Sequence, residues 1–409
     1  MSMICLIDCD NFFASCEKLF HPEFRNKPLV VCSGENGIII ARSKEAKALN
    51  IPMCGACFEY KSLFIKEDVI IRGTNFALYS DISSRIRETV ATFGLEMFVY
   101  SVDEMFLKIP SPLVCDELLE NIQQKIKQWV GIDVSIGLSK TKTLAKIATK
   151  KAKALPTHRK IFVEDFTTVL KNFPVEDVWG IGEKLKRKLH QHQCKNAGDL
   201  MSLSDDFLHK LLGVNGCRIK KELGGENAYP FFDKVVDKSM QITKTFPVEI
   251  ISIKTVNEIL SSFISEGCER LRKIQKKAGE LTIFFQSSRF KDAHTNFVQS
   301  YTLDESSHYT PDFLYFKEQA LSILRDGDIR VKRAGIYFNM LTPEAITQQN
   351  FFSNPVSKNP KLMTVIDQIN GHFGSKTIRF ASQSKTFSRK LTKSRRYTTN
   401  WEEILEVFI

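Results

Sequence analysis

At 409 residues, 43% of them hydrophobic and 26% charged, the chain has the composition of a soluble globular protein with apolar mass for several cores, and about three domains are expected at this length. The formal net charge of +11 favours a polyanionic partner, either nucleic acid or an anionic membrane surface. No apolar stretch reaches about 18 residues, which excludes a transmembrane helix, and the opening MSMICLIDCDNFF lacks the basic start of a signal peptide and carries acids early.

In chain order, Ile4 to Ile7 is a short apolar run that stops at Asp8, the pattern of a buried strand ending in a functional turn. PLVVCSGENGIIIAR predicts two strands around a loop that carries two glycines and an asparagine. LYSDISSRIRETVATF has helical spacing at Tyr79, Ile82, Ile86 and Val90. FVYSVDEMFLKI predicts two strands meeting at or near Asp103, followed by a helix through LLENIQQKIKQWV and a strand at DVSIGLS. The order strand–helix–strand–strand–helix–strand, with an insertion after the first strand, fits a ferredoxin-like split βαβ layout. In that layout the first strand lies beside the third, which brings Asp8 near Asp103 and Glu104. VEDVWGIGEKLKRKLHQH has the form of a helix, a Gly180-Ile181-Gly182 hairpin and a basic second helix, and LLGVNGCRIKKEL repeats the glycine hairpin further along. From Gln241 the βαββαβ order returns: MQITKTF, a helix to Lys277, ELTIFFQSS, NFVQSYTL, a helix from Pro311 and RAGIYFNML. After Pro343 the chain turns polar and is expected to be loop-like. It carries QQNFF and a basic run at Lys376, Arg379, Lys385, Arg389, Lys390, Lys393, Arg395 and Arg396 without an acid. The ten cysteines are scattered, and the C-x-x-C from Cys54 to Cys57 has no second pair at zinc-ribbon spacing. Reduced cysteines packed as small hydrophobes in a cytosolic protein are expected.

The adjacent acids Asp103 and Glu104 stand inside the otherwise apolar YSVDEMF, where each is costly to desolvate unpaired and each repels the other. A divalent cation removes that cost. Mg²⁺ takes oxygen ligands from one or two carboxylates plus substrate phosphates, and two such ions about 3.5–4 Å apart can activate an attacking oxygen and stabilise a leaving one. Asp8, Asp103 and Glu104 are the minimum set for this chemistry. The spacing alone leaves open a tight turn with solvated acids at its tip. Two acid-poor basic stretches tip the balance toward a triphosphate and a nucleic-acid backbone: Lys140, Lys142, Lys146, Lys150, Lys151, Lys153, Arg159 and Lys160 in one, and Arg42, Lys44 and Lys47 in ARSKEAKAL.

LIDCDNFFASCE, IIIARSKEAKALNI, YSVDEMF, IGLSKTKTLAKIA and VWGIGEKLKRKL resemble, in order, the motifs of the Y-family DNA polymerases, and the C-terminal LMTVIDQIN and RRYTTNW resemble its UmuC-type branch. The resemblance covers nearly the whole chain. It implies an α+β multidomain fold: a ferredoxin-like βαββαβ palm over residues 1–170 with fingers inserted near 18–76, a small helical thumb with a helix-hairpin-helix over 171–238, a second βαββαβ unit as little finger over 239–342, and a tail over 343–409. It implies that Asp8, Asp103 and Glu104 ligate two Mg²⁺ ions, for which Mn²⁺ can substitute, with the backbone carbonyl of Cys9 as a further ligand. Asp10 falls at a position that varies between relatives and is not read as a ligand. Backbone amides around Asn11, Phe12 and Phe13 are implied to approach the triphosphate, with Lys44, Lys47 and Lys153 as its cationic contacts. Phe13 matches the steric gate against a ribose 2′-OH, where relatives commonly carry Tyr; the ring is kept and the hydroxyl lost. Phe12 is read as core.

By the same resemblance, Gly180 and Gly182 let backbone N–H groups approach a DNA phosphate, with Lys184 and Lys186 adding charge. QQNFF looks like a bacterial sliding-clamp motif, with Gln348, Phe351 and Phe352 as its anchors. The implied activity is error-prone translesion synthesis by two-metal nucleotidyl transfer from a dNTP to a primer 3′-OH, within an SOS-type damage response in the bacterial cytoplasm at the nucleoid. Implied partners are primer-template DNA, dNTP, the sliding clamp, a UmuD-type dimer and a RecA filament, with no membrane. No further acidic constellation is present to supply an exonuclease. A nucleotide cyclase can use a similar sheet and carboxylate hairpin, but it needs neither tandem glycine hairpins nor a clamp peptide. A catalytically silent DNA- and clamp-binding subunit would not need all three acids.

Overall fold

The computed structural model describes residues 2–34, 37–155, 160–162, 166–232, 237–288, 296–322, 330–346, 360–374, 376–383 and 394–404. It divides into two compact units, Met1–Asp233 with Lys390–Ile409, and Lys234–Arg389.

The first unit opens with β1 (Ser2–Cys9) and α1 (Phe12–Leu19), then β2 (Leu29–Cys32), β3 (Ile39–Arg42), α2 (Lys44–Ala48), α3 (Lys61–Lys66) and β4 (Ile70–Gly73). It continues with α4 (Phe76–Ala91), β5 (Glu96–Val99), β6 (Glu104–Pro110), α5 (Asp116–Val130), β7 (Val134–Ser139), α6 (Lys142–Ala152) and the short β8 (Lys160–Phe162). The main sheet has the order β5-β6-β1-β7-β8, antiparallel except between β7 and β8. Apart from β8, this is the expected ferredoxin-like arrangement, with the first strand between the third and the fourth.

Strand β1 is apolar on both sides because both faces of the sheet are covered. Cys5, Ile7 and Cys9 join a core with Leu78, Tyr79, Ile82 and Ile86 of α4 and Ile122 and Ile126 of α5. Ile4 and Leu6 face the other way, onto Phe106 and Ala145 of α6. Helix α6 presses so closely on the sheet that a Cβ at Gly137 would stand 2.2 Å from the Thr149 nitrogen, which only glycine permits.

The segment between α1 and α4 forms a separate three-stranded sheet, β3-β2-β4, with its own core of Val30, Ile39, Ile51 and Phe64. Here the expectation of reduced cysteines fails for one pair. The end of β2 and the turn before α3 bring the buried Cys32 and Cys57 together as a disulfide, while Cys54 is exposed with a free thiol.

Five short helices follow: α7 (Thr167–Lys171), α8 (Glu183–Gln191), α9 (Ala197–Ser202), α10 (Asp205–Leu212) and α11 (Val214–Leu223). They pack around Leu170, Val175, Leu189, Leu208 and Ile219. The segment before the Gly180–Gly182 hairpin, read as a helix, is a single 3-10 turn at Val175–Asp177. Pro174, in extended conformation, disfavours helix at the residue before it and donates no N–H. The helices are tied to the sheet through buried Glu222 of α11. Its carboxylate accepts the N–H groups of Thr143, Ala228 and Tyr229, and its backbone carbonyl accepts from Thr141 Oγ1 at 2.8 Å.

The second unit contains β9 (Ser239–Ile250), α12 (Ile253–Lys273), β10 (Lys276–Gln286), β11 (Asn296–Ser307), α13 (Thr310–Ser322), β12 (Val331–Pro343) and α14 (Pro360–Phe373). The βαββαβ order is as read, but the antiparallel sheet runs β11-β10-β12-β9, so its first strand lies at an edge beside the last. Helix α12 ends before the expected Lys277: Gln275 adopts φ 54°, and Lys276 and Lys277 already pair with Pro343 and Thr342. The segment after Pro343 is not loop throughout. Helix α14 is anchored by the Arg272 guanidinium, which donates to both Asp367 carboxylate oxygens at 2.6 and 2.9 Å, and by buried Met363. The QQNFF motif with Gln348, Phe351 and Phe352 lies outside the described residues. Among the described residues, no helix is long and apolar enough to cross a membrane.

Candidate active site

The register of β1 on β6 sets Asp8 opposite Glu104, and the Cys9 N–H donates to the Asp103 carbonyl at 2.9 Å. The turn between β5 and β6 is closed by Ser101. Its Oγ accepts the N–H groups of Asp103 and Glu104 at 3.3 and 3.0 Å and donates to Asp103 Oδ1 at 2.6 Å. The two-residue period of a strand puts Asp8 and Glu104 on the face of Ile4, Leu6 and Phe106, the side covered by α6. That helix presents Lys146 and, at its C-cap, Lys153, about two turns apart and so on one face. Lys153 Nζ lies 2.7 Å from Asp8 Oδ2, and Lys146 Nζ lies 2.7 Å from Glu104 Oε1.

Burial pushes the Asp8 carboxyl up to about 6; Lys153 opposes the shift, and Glu104 and Asp103 add to it. Three acids stand against the two lysines that pair with them, a deficit of one positive charge. Three carboxylates at adjoining backbone positions, with that deficit, fit a hard divalent cation. Among the described residues no three acidic, histidine or cysteine side chains are placed to hold a metal ion, and Asp8 and Glu104 are each paired with a lysine of α6. The ion pairs were not anticipated from the sequence, although the seven-residue interval from Lys146 to Lys153 was there to read. Lys146 is further enclosed by aromatic rings: its Nζ lies 4.4 Å from the Tyr100 ring centre and 5.5 Å from that of Trp179, whose Nε1 donates to the Tyr100 hydroxyl at 3.1 Å.

Beyond β1, Asn11 takes the left-handed conformation (φ 52°) as the N-cap of α1 and makes no side-chain cap hydrogen bond. The first-turn N–H groups of α1 thus lack a capping side chain, a disposition suited to an anionic group. Asp10 is buried, accepting from Ser135 Oγ at 2.8 Å. Phe12 is only 3% exposed, in the core. Phe13 is partly buried and stacks on Tyr79, with ring centres 4.4 Å apart and planes 16° apart, while Phe76 meets it edge-on at 5.9 Å. Loss of solvent and the neighbouring Lys153 and Arg42 pull the Lys47 ammonium below its ordinary value, with Asp10 and Asp8 pulling the other way. Lys44 stands exposed at the start of α2.

In the hairpin, Gly180 has φ +93°, a conformation that strains other residues, and Gly182 is the N-cap of α8 with open space around it. Lys184 is exposed, and Lys186 is 3.3 Å from Glu176.

Residues 7–150 match the impB/mucB/samB family, residues 237–351 its C-terminal domain, residues 163–193 the IMS family HHH motif, and residues 360–407 a domain of unknown function, DUF4113. The chain is 28% identical to UmuC of Salmonella typhimurium, covering 99% of this chain and 100% of that one. It is 26% identical to DNA polymerase IV 2 of Bacillus subtilis, covering 92% and 93%. A solved Y-family DNA polymerase chimera, Dbh-Dpo4(243-245)-Dbh, shares the fold with a TM-score of 0.69 at 22% identity, over 82% of this chain and 98% of that one. The matched segments take in the carboxylate-bearing sheet, the glycine hairpin and the second βαββαβ unit in chain order, and the chain belongs to the impB/mucB/samB family.

Proposed function

We propose that the protein is an error-prone translesion DNA polymerase, adding dNTPs to a primer 3′-OH on damaged template DNA as part of an SOS-type response. The observation that carries the reading is the strand register that pairs Asp8 with Glu104 beside Asp103, facing Lys146 and Lys153 on one helix. Asp8, Asp103, Glu104 and the Cys9 carbonyl are the groups to hold divalent cations. When bound, two Mg²⁺ ions, or Mn²⁺ in their place, supply activation of the 3′-OH and neutralisation of charge at the transferred phosphate. The chain's own groups bind and orient: Lys153 and Lys47 take the triphosphate, the N–H groups of α1 from Asn11 onward approach it, and the Phe13 ring lies against C2′ of the sugar. Lys44 adds charge at the rim. Gly180, Gly182, Lys184 and Lys186 hold a DNA phosphate.

The main sheet is the palm, the β3-β2-β4 insert the fingers, the helical segment the thumb, and the second unit the little finger. Two similar solved structures are ternary complexes of Dbh, one of them named as a DNA polymerase, which supports primer-template DNA and dNTP as ligands here. The QQNFF motif supports a sliding-clamp contact through Gln348, Phe351 and Phe352, and the similarity to UmuC supports a UmuD-type dimer, a RecA filament and a place at the bacterial nucleoid. Primer extension by purified protein with Mg²⁺ tests the reading. Template-directed addition of dNTPs is expected. Formation of a cyclic nucleotide, or binding of DNA and clamp without extension, would select the cyclase or the silent subunit instead.

A further inference from the structure

Residues 394–404, within the segment that matches a domain of unknown function, return to the first unit and settle against α1 and α4. Tyr397 is 8% exposed, stacks on Phe20 with ring centres 4.6 Å apart, and shares a hydrogen bond between its hydroxyl and His21 Nε2 at 2.8 Å. Ser394 Oγ donates at 2.9 Å to Oε1 of Glu17, a carboxylate only 1% exposed. The same Oε1 accepts from the Tyr79 hydroxyl at 2.7 Å, and Glu17 Oε2 has no hydrogen-bond partner among the described residues. Asn75 works in two directions. Its Oδ1 caps α4 through the Leu78 N–H, and its Nδ2 donates to the Ser394 carbonyl and hydroxyl at 3.0 and 2.8 Å.

These contacts converge on one ring. Tyr79 and Phe76, in the first turn of α4, are the two aromatic groups of that helix that touch Phe13. The position of Tyr79 depends on its hydrogen bond to Glu17, and the start of α4 depends on Asn75. Both of those residues are held by Ser394. We propose that residues 394–404 act as a strap that determines sugar selectivity from a distance: Ser394 and Tyr397 fix Glu17, Asn75 and the end of α1, and so hold Tyr79 as the rigid backing of Phe13. Ser394, Tyr397, Glu17 and Tyr79 are positioning residues. The inference rests on the reading of Phe13 as the ring that excludes a ribose.

The test uses the full-length protein with primer-template DNA and Mg²⁺, and compares kcat/KM for a correct dNTP and its ribonucleotide in wild type, Ser394→Ala, Tyr397→Ala, Tyr397→Phe and Phe13→Ala. Ser394→Ala and Tyr397→Ala are expected to raise the ribonucleotide-to-deoxyribonucleotide ratio by about two- to tenfold, the range of one aromatic packing interaction, with dNTP use within about threefold of wild type. Tyr397→Phe, which keeps the stack, is expected to stay near the wild-type ratio. A purely structural strap would lower both efficiencies together and leave the ratio unmoved. If Phe13→Ala raises the ratio and neither strap variant does, the inference is overturned and the gate reading stands. If Phe13→Ala leaves the ratio unchanged, the gate reading fails and takes the inference with it. Should Tyr397→Ala not fold, Ser394→Ala, which removes one hydroxyl, decides the matter.

Discussion

Asp8 or Asp103 replaced by Ala is expected to slow primer extension by more than about a hundredfold, because each removes part of the charge that holds cations at the transferred phosphate. Primer-template binding is expected to persist or tighten, since a negative charge near DNA is lost; single-turnover extension and a binding titration on the same protein check both. Glu17 offers a second measurement. Burial raises its carboxyl above the ordinary value, while the hydrogen bonds from Tyr79 and Ser394 oppose the shift. The folded protein therefore holds the Glu17 proton more tightly than the unfolded chain does, and this residue makes stability fall as pH rises from the ordinary carboxylate range through the raised value. Glu17→Gln cannot titrate, so its melting temperature is expected to gain on wild type between about pH 4 and pH 8. Parallel melting temperatures across that range would rule the burial effect out. Asp103 and Glu104 stood out in the sequence because adjacent charges in an apolar run are costly without a partner, and Asp8 because it ends the apolar run from Ile4 to Ile7. Glu17 was not, because its partner Ser394 lies 377 positions away, beyond the reach of any local pattern.

At the scale of elements, α8 carries the next prediction. Its N-terminus has no capping side chain, and Lys184 stands exposed beside it, whereas Lys186 is partly neutralised by Glu176. Lys184→Ala is expected to weaken DNA binding evenly across sequences and to lower the slope of log affinity against log salt by about 0.9, and Lys186→Ala by less. Equal slopes for wild type and Lys184→Ala in a salt titration would remove that contact. Elements with a sustained period were readable: α4 and α5 by their 3.6-residue stripes, β1 and β7 as short apolar runs. The 3-10 turn at Val175–Asp177 was missed because three residues cannot show a period, and α14 because its polar flanks hide an anchor, Asp367, whose partner Arg272 sits on α12. The sheet order of the second unit was also hidden. A βαββαβ string states the sequence of strands, and packing alone decides which strand takes the edge.

For the whole molecule, a net charge of +11 suits a polyanionic substrate, and the clamp-like QQNFF falls in a stretch rich in turn formers with no amphipathic period. Two adjacent phenylalanines there are expected to serve as aromatic anchors, each contributing about 2 kcal/mol or more to clamp binding. Phe351→Ala with Phe352→Ala is expected to abolish clamp stimulation while basal extension on short primers and the melting temperature hold; a lower melting temperature with an intact clamp response would mean that the rings pack within the protein. The path of the chain has a consequence of its own. It leaves the first unit after Asp233 and re-enters it at Lys390, and Tyr397 then docks on Phe20. In chain order the second unit is therefore an insertion within the first. A single proteolytic nick in either connection leaves it attached to the other unit so long as the docking persists. Undocking Tyr397 removes the second attachment, so that a nick in the first connection then separates the two units. Since the entropy of closing a loop grows only with the logarithm of its length, one ring stack and a few hydrogen bonds are enough to control that attachment.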